Sequence, residues 1–390
     1  AEAARLATEP AQTAREAAET AALAASVDGR IAAGHSALRG ASPRAELQPT
    51  DATPAEVAQW WLALPPHLRR ELMDRRAVVL GRLAGLPAEV RDEANRRQLA
   101  GLLVRLRAER DRLAGTLPTI PLQLARAAVV RSMLTIAQGV ERTLATLAGR
   151  PPPARLLTLD LSGAGRVAIG LGDVDRAQNL AVLVPGMGQD AGHGVPGTVR
   201  RAADLLAEAG RQSTRSTAVV AWIGYAAPDW RQVPFPTRAR AGGRMLTADL
   251  AMLAAARTGE PAHVTLVGHS YGSTVVGAAM QAGPPRADDL VLLGSPGVLA
   301  DRVGQLGLAG RRVYVGEAPL DPVADLGAFG ADPGDRRFGG TRIRVDAAPW
   351  PEGVVAPHSH YLDAGSESLR NVARVVVGRG PDVTTPGTAS

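Results

Sequence analysis

The chain contains no cysteine. Disulfides, thiolate metal sites and a cysteine nucleophile are therefore excluded, and folding does not depend on the redox state of the surroundings. Lysine is absent too, so all 44 basic side chains are arginine. They are interleaved with Asp and Glu, and a net charge of +6 over this length is a weak electrostatic footprint that does not argue for nucleic acid. Aromatic residues make up 3% of the chain, so its core must be mostly Ala, Val and Leu. No apolar run approaches the roughly 18–20 residues of a membrane helix. Ala1 to Thr20 is rich in Ala and Glu and carries no signal-peptide pattern. Because the chain does not begin with Met, composition leaves both cytoplasm and export open as addresses. No repeat of solenoid period is evident.

A length of 390 residues favours two domains, or one domain with a large extension. The reading is a helical leader over 1–150, able to serve as a cap, an α/β unit over 151–380, and a flexible tail over 381–390. The leader is dominated by Ala, Leu, Arg and Glu, strong helix formers. Thr53 and Pro54 mark a helix start as N-cap and first residue. That helix runs through Trp60 and Trp61 until Pro65 and Pro66 break it, and another follows from His67. Pro87 to Leu113 is a long amphipathic stretch, and a further helix runs from Pro121 to about Leu147. Residues 23–52 read as a loose connector. The run Gly149-Arg150-Pro151-Pro152-Pro153 stops the last helix and marks the boundary.

Beyond it, short apolar runs alternate with helical patterns. Strands are expected at Leu156–Leu161, Arg166–Gly170, Leu180–Val184, Thr217–Ile223, His263–Val267, Leu290–Leu293, Arg312–Val315 and Arg342–Val345. Helices fit at Val199–Ala209, Gly242–Arg257, Tyr271–Gln281 and Ser366–Val377. The first two strands form a hairpin turning at Ser162 to Gly165. The later, near-continuous apolar strands joined by helices predict a buried, mostly parallel eight-stranded sheet.

One motif carries chemistry. Val264-Thr265-Leu266-Val267 leads at once into Gly268-His269-Ser270-Tyr271-Gly272 and then a helical run. This is G-x-S-x-G in the strand–turn–helix setting that a nucleophile elbow requires. Ser270 would stand on a strained turn at the carboxyl edge of the sheet, and the Tyr271 amide at a helix N-terminus would face a developing oxyanion. A second oxyanion donor is expected after an earlier strand, where Leu180–Val184 ends in Pro185-Gly186-Met187; this assigns the Met187 amide. The glycines at 186, 188 and 192 mimic a dinucleotide fingerprint. No helix opens directly after them, and the next strand lacks a ribose-binding acid, so nucleotide binding is discounted.

In this fold the acid and then the base follow the serine. Only His358 and His360 lie downstream, in Pro357-His358-Ser359-His360-Tyr361, and the residues alone leave both open. The His–x–His pair lacks an evident third ligand, so no metal is assigned. His269 reads as structural support for the turn. Among acids, Asp321 is chosen because a short loop after a strand can carry it to the histidine, with Glu317 and Asp325 as alternatives and Asp301 a further one. Tyr225, Pro228, Trp230 and Phe235, after a central strand, read either as an apolar substrate wall or as core packing.

Several stretches together resemble an actinobacterial α/β-hydrolase family long catalogued as a domain of unknown function. They are Gly172-Asp173-Val174-Asp175 with Val184-Pro185-Gly186, Trp222 to Tyr225 with Pro228, the elbow, Gly294-Ser295-Pro296-Gly297, Asp332-Pro333, and His358 to Tyr361 before Gly365 to Asn371. The similarity covers about 150 to 378 and extends upstream through Trp60-Trp61 and Gly85 to Arg96. It implies an α/β-hydrolase fold behind an all-α leader, and His358 as the base. The chain departs from the family at Met187-Gly188, where a small hydroxyl residue and Gly are expected. The resulting expectation is a serine esterase or lipase-like hydrolase of a small ester or lipid-like molecule, with triad Ser270, Asp321 and His358 and no cofactor. Peptidase, amidase or thioesterase chemistry uses the same triad. The contrasting expectation is an interaction protein with a vestigial hydrolase domain.

Overall fold

The computed structural model describes residues 52–114, 121–228, 235–283, 287–308, 312–324, 327–346 and 356–387. The helical reading before residue 23, most of the connector read over 23–52, Trp230 and Asp325 lie outside them.

Among the described residues four leader helices come first: α1 (Pro54–Ala63), α2 (Pro66–Arg82), α3 (Ala88–Ala114) and α4 (Pro121–Leu147). Thr53 caps α1 in a full capping box, its hydroxyl accepting the Glu56 amide while the Glu56 carboxylate accepts the Thr53 amide. Pro66 opens α2 one residue earlier than expected, because proline fits the first helical turn, where its missing N–H would have had no partner. Trp61 packs with Val57, Met73, Leu80, Leu86 and Ala94, all leader residues, and Trp60 lies against this cluster.

The sheet follows: β1 (Ala154–Asp160), β2 (Arg166–Leu171), β3 (Asn179–Val184), α5 (Val195–Gln212), β4 (Thr217–Ile223), α6 (Thr237–Ala256), β5 (His263–His269), α7 (Tyr271–Gln281), β6 (Asp289–Leu293), β7 (Val313–Gly316), β8 (Thr341–Ile343), α8 (Ala356–Ser359) and α9 (Glu367–Val376). Its eight strands run in the order β1-β2-β4-β3-β5-β6-β7-β8. β2 is antiparallel to both β1 and β4, and the strands from β4 onward are parallel.

Alternation along each strand sends side chains to two opposite faces. Ala181, Leu183, Val267, Val291 and Leu293 share a core with α5 and α9, while Leu180, Val182, Leu266, Leu290 and Leu292 share one with α6 and α7. The first core continues without a break into Leu99, Leu102, Leu103 and Leu106 of α3 and Ile136, Val140 and Leu144 of α4. The leader therefore completes the sheet face beneath β1 and β2.

It also satisfies the backbone of the edge strand. Asp92 accepts the Leu156 amide at 2.7 Å, Asn95 donates to the Leu156 carbonyl at 2.9 Å, Arg96 donates to the Ala154 carbonyl at 3.0 Å, and Arg91 donates to the Leu157 carbonyl. The spacing 91, 92, 95, 96 puts these four on one helix face, and a covered edge cannot recruit another chain.

The flexible tail expected from 381 is corrected in part. Thr384 accepts from Arg344 N at 2.8 Å through its carbonyl, and its own amide donates to Asn371 Oδ1 at 2.9 Å, so the chain is tied to the end of the sheet and to α9 at that point.

The chain leaves β3 toward β4 on one side and returns through α6 to β5 on the other. The carboxyl ends of β3 and β5 are thus adjacent at a topological switch point, where such sheets leave a crevice.

Candidate active site

Ser270 lies at that switch point. β5 ends at His269 and α7 begins at Tyr271, leaving one residue for the reversal. Ser270 takes φ 55 and ψ −134, a conformation that costs a non-glycine residue roughly 1–3 kcal/mol. The turn is held from below. Ser270 N donates to the Leu293 carbonyl at 2.8 Å, and the Ser273 hydroxyl donates to the Ser270 carbonyl at 2.6 Å while lying 2.7 Å from Ser295 Oγ. The glycines around it are steric necessities. A β-carbon on Gly268 would lie 2.6 Å from Ser273 Cα, and one on Gly272 would lie 2.2 Å from the Val184 carbonyl oxygen.

The loop after β3 closes on the hydroxyl. A β-carbon on Gly186 would lie 2.6 Å from Ser270 Cβ and 3.0 Å from its Oγ. Met187 follows directly, its side chain 45% exposed. The loop is anchored by the Tyr225 hydroxyl, which donates to the Pro185 carbonyl at 2.7 Å. That anchor corrects the substrate-wall assignment. Tyr225 is 1% exposed, its ring packed between Trp222 and Tyr271. Its polar tip finds a partner inside the core, so the residue shapes the loop instead of facing the opening. Phe235 is 64% exposed, and its carbonyl accepts the Tyr271 hydroxyl at 3.1 Å.

Asp321 and His358 meet although 37 residues separate them. His358 Nδ1 lies 2.9 Å from Asp321 Oδ2 and 3.0 Å from Oδ1. Val323 N donates to Oδ1 at 2.9 Å, and the Tyr361 hydroxyl donates to Oδ2 at 2.6 Å. Burial pushes the Asp321 carboxyl up, but the hydrogen bonds from His358 and Tyr361 outweigh it and hold the carboxyl below its ordinary range. The alternatives are engaged elsewhere. His360 pairs with Asp363, Asp301 accepts the Ala331 amide at 3.2 Å, and the Glu317 carboxylate lies against Gly334.

His269 links the pair to the elbow. Its Nε2 lies 2.8 Å from the His358 carbonyl, and a carbonyl only accepts, so this nitrogen carries the proton. Burial, with His358 beside it, pushes the His269 ring down to about 3, so it stays neutral. The residue before the candidate nucleophile thereby fixes the backbone of the candidate base. Sequence alone reads His269 as support for the turn and assigns Tyr361 no role. The only signal for Tyr361 was its place three residues after His358.

A serine on a strained turn, with a histidine–carboxylate pair tied to the preceding residue of that turn, brings together the residue types that nucleophilic catalysis uses.

The model of a family described as alpha/beta hydrolase matches residues 160–331. The uncharacterized protein Rv2079 of Mycobacterium tuberculosis is 31% identical over 382 residues, covering 88% of this chain and 58% of that protein. This chain thus spans less than two thirds of that relative. The uncharacterized protein Mb0988c of Mycobacterium bovis is 34% identical over 222 residues, covering 53% of this chain and 83% of that protein. Among solved structures, a carboxylesterase from Mesorhizobium loti is similar at 17% identity and TM-score 0.32, covering 55% of this chain and 95% of that one. An esterase from Rhizomucor miehei is similar at 13% identity and TM-score 0.39, covering 72% and 96%.

Proposed function

The chain belongs to an actinobacterial family of α/β-hydrolases, and on that premise we propose that it is a serine hydrolase of carboxylic esters, acting through an acyl-enzyme on Ser270. The observation that carries this reading is the Asp321–His358 pair at 2.9 Å, tied through His269 to a serine held at φ 55.

In this reading His358 Nε2 takes the Ser270 proton as the oxygen attacks the ester carbonyl. Asp321 keeps the proton of the imidazole on Nδ1 and stabilises the imidazolium that forms. The amides of Met187 and Tyr271 hold the oxyanion, one at the loop after β3 and one at the N-terminus of α7. The imidazolium returns its proton to the leaving alcohol, and water then opens the acyl-enzyme by the same route. The chemistry calls for no cofactor.

Met187, Phe235 and Leu320 support a substrate with an apolar part. They are 45%, 64% and 85% exposed; Met187 and Leu320 are the chain neighbours of Gly186 and Asp321, and the Phe235 carbonyl accepts the Tyr271 hydroxyl. Esters, thioesters and amides all yield to such a triad, so the bond is a matter for assay.

Exposure to a fluorophosphonate followed by intact-mass measurement tests the reading. One adduct is expected on the full chain and none on Ser270→Ala. A panel of esters of rising acyl length, with matched thioesters and amides, then identifies the bond. An unlabelled chain, or equal labelling of the variant, sinks the proposal.

A further inference from the structure

We propose that Tyr361 is a positioning residue that sets the basicity of the Asp321–His358 pair through its hydroxyl. The inference rests on the serine-hydrolase reading above and deepens it.

The geometry is specific. Tyr361 donates to Asp321 Oδ2 at 2.6 Å, the same oxygen that faces His358 Nδ1 at 2.9 Å. Its hydroxyl accepts the Ala318 amide at 2.8 Å, so its single proton is directed at the carboxylate. The residue is 2% exposed, and its ring stands edge-on to the His358 ring at 88°. Gly294 makes room for the group: a β-carbon there would lie 2.8 Å from Asp321 Oδ2, 2.8 Å from Tyr361 Cε2 and 3.0 Å from His358 Nδ1. Burial, and then the hydrogen bond to Asp321, push the phenol far above its ordinary range, so Tyr361 remains a donor at every working pH.

Two donors therefore share one carboxylate. A hydrogen bond from the phenol draws charge away from the face that Asp321 presents to His358. Removing the hydroxyl concentrates that charge on the imidazole and favours its protonated form. The base is then occupied by a proton to higher pH, and the acid limb of the rate profile moves upward. Among the described residues, further charged or titratable groups near the cluster are His269 at the end of β5, Glu317 after β7, Arg201 on α5 and the His360–Asp363 pair beside Tyr361. None of them is substituted, so their titration is common to all three proteins.

The test is the rate of fluorophosphonate labelling of Ser270 against pH, with melting followed on the same samples. Three proteins are compared: the natural chain, Tyr361→Phe, and a chain with 3-fluorotyrosine at position 361, a stronger donor of nearly the same shape. The phenylalanine variant is expected to label roughly tenfold more slowly, with its acid limb raised by about half to one pH unit. The fluorotyrosine chain should shift the limb downward. A folded Tyr361→Phe protein with an unshifted limb overturns the inference while leaving the hydrolase reading intact. If that variant fails to fold, a fluorotyrosine chain with an unshifted limb overturns it instead. A natural chain that takes no label at any pH removes the hydrolase reading, and this inference with it.

Discussion

Gly294 shows how much of the candidate site depends on a side chain that is missing. It takes φ 53, a left-handed conformation that favours glycine, and its bare Cα lets Asp321, His358 and Tyr361 close around it. An added methyl would have to displace the acid–base pair. Gly294→Ala is expected to cut fluorophosphonate labelling of Ser270 by about a hundredfold, because a displacement near 1 Å at a catalytic pair costs that much. Circular dichroism should show the fold retained, and undiminished labelling would refute the role. Ser270 was legible from its motif, while chain order limited the base to His358 or His360 and the acid to Asp321 and a few alternatives, with the family resemblance pointing to His358. For Tyr225 the sequence does not choose between wall and core, because a tyrosine after a central strand looks the same in sequence whether its ring faces solvent or core. Only the Pro185 carbonyl, 40 residues upstream, gives its hydroxyl a buried partner.

Among the elements, α3 has a role that its amphipathic pattern conceals. Its sheet-facing side is polar where it meets β1, since an edge strand offers backbone groups as well as apolar side chains. Asp92 is 5% exposed and accepts from the Leu156 amide, from Arg96 Nε at 2.7 Å and from Arg155 at 3.4 Å. Asp92→Ala would leave a buried amide and two guanidinium groups without this partner. The expected loss is about 1–3 kcal/mol, chiefly the cost of leaving the buried Leu156 amide unpaired, since Arg96 and Arg155 can turn to water. Urea unfolding measures it, and a loss below about 1 kcal/mol would show that water replaces the carboxylate. The positions of the parallel strands were readable from their apolar runs. The polar face of α3 was not, because Arg91, Asp92, Asn95 and Arg96 are the residue types that a solvated helix also carries.

For the molecule as a whole, the leader and the sheet are joined by one continuous core. This bears on whether residues before 150 act as a removable cover or as structure. A chain beginning near Arg150 would expose Leu156, Leu159, Val167 and Ile169 together with the unpaired edge of β1. Such a chain is expected to aggregate, since an exposed apolar face beside an open strand edge recruits other chains. Light scattering on the purified fragment checks this. A monodisperse fragment that labels faster than the full chain would instead identify the leader as a cover.

The amino-acid sequence by itself determined the element order and the strand–turn–helix setting of Ser270. These follow from local patterns: alternation, helical period, and glycines flanking a serine between a strand and a helix. It also limited the candidate bases to two and the acids to a few. The tertiary structure decided which of them meet. Asp321 reaches His358 across 37 residues, and His360 turns to Asp363 three residues away. It also decided that the leader finishes the core of the sheet. Those outcomes depend on strand order and on which face each loop crosses, and neither is written in the spacing of residues along the chain.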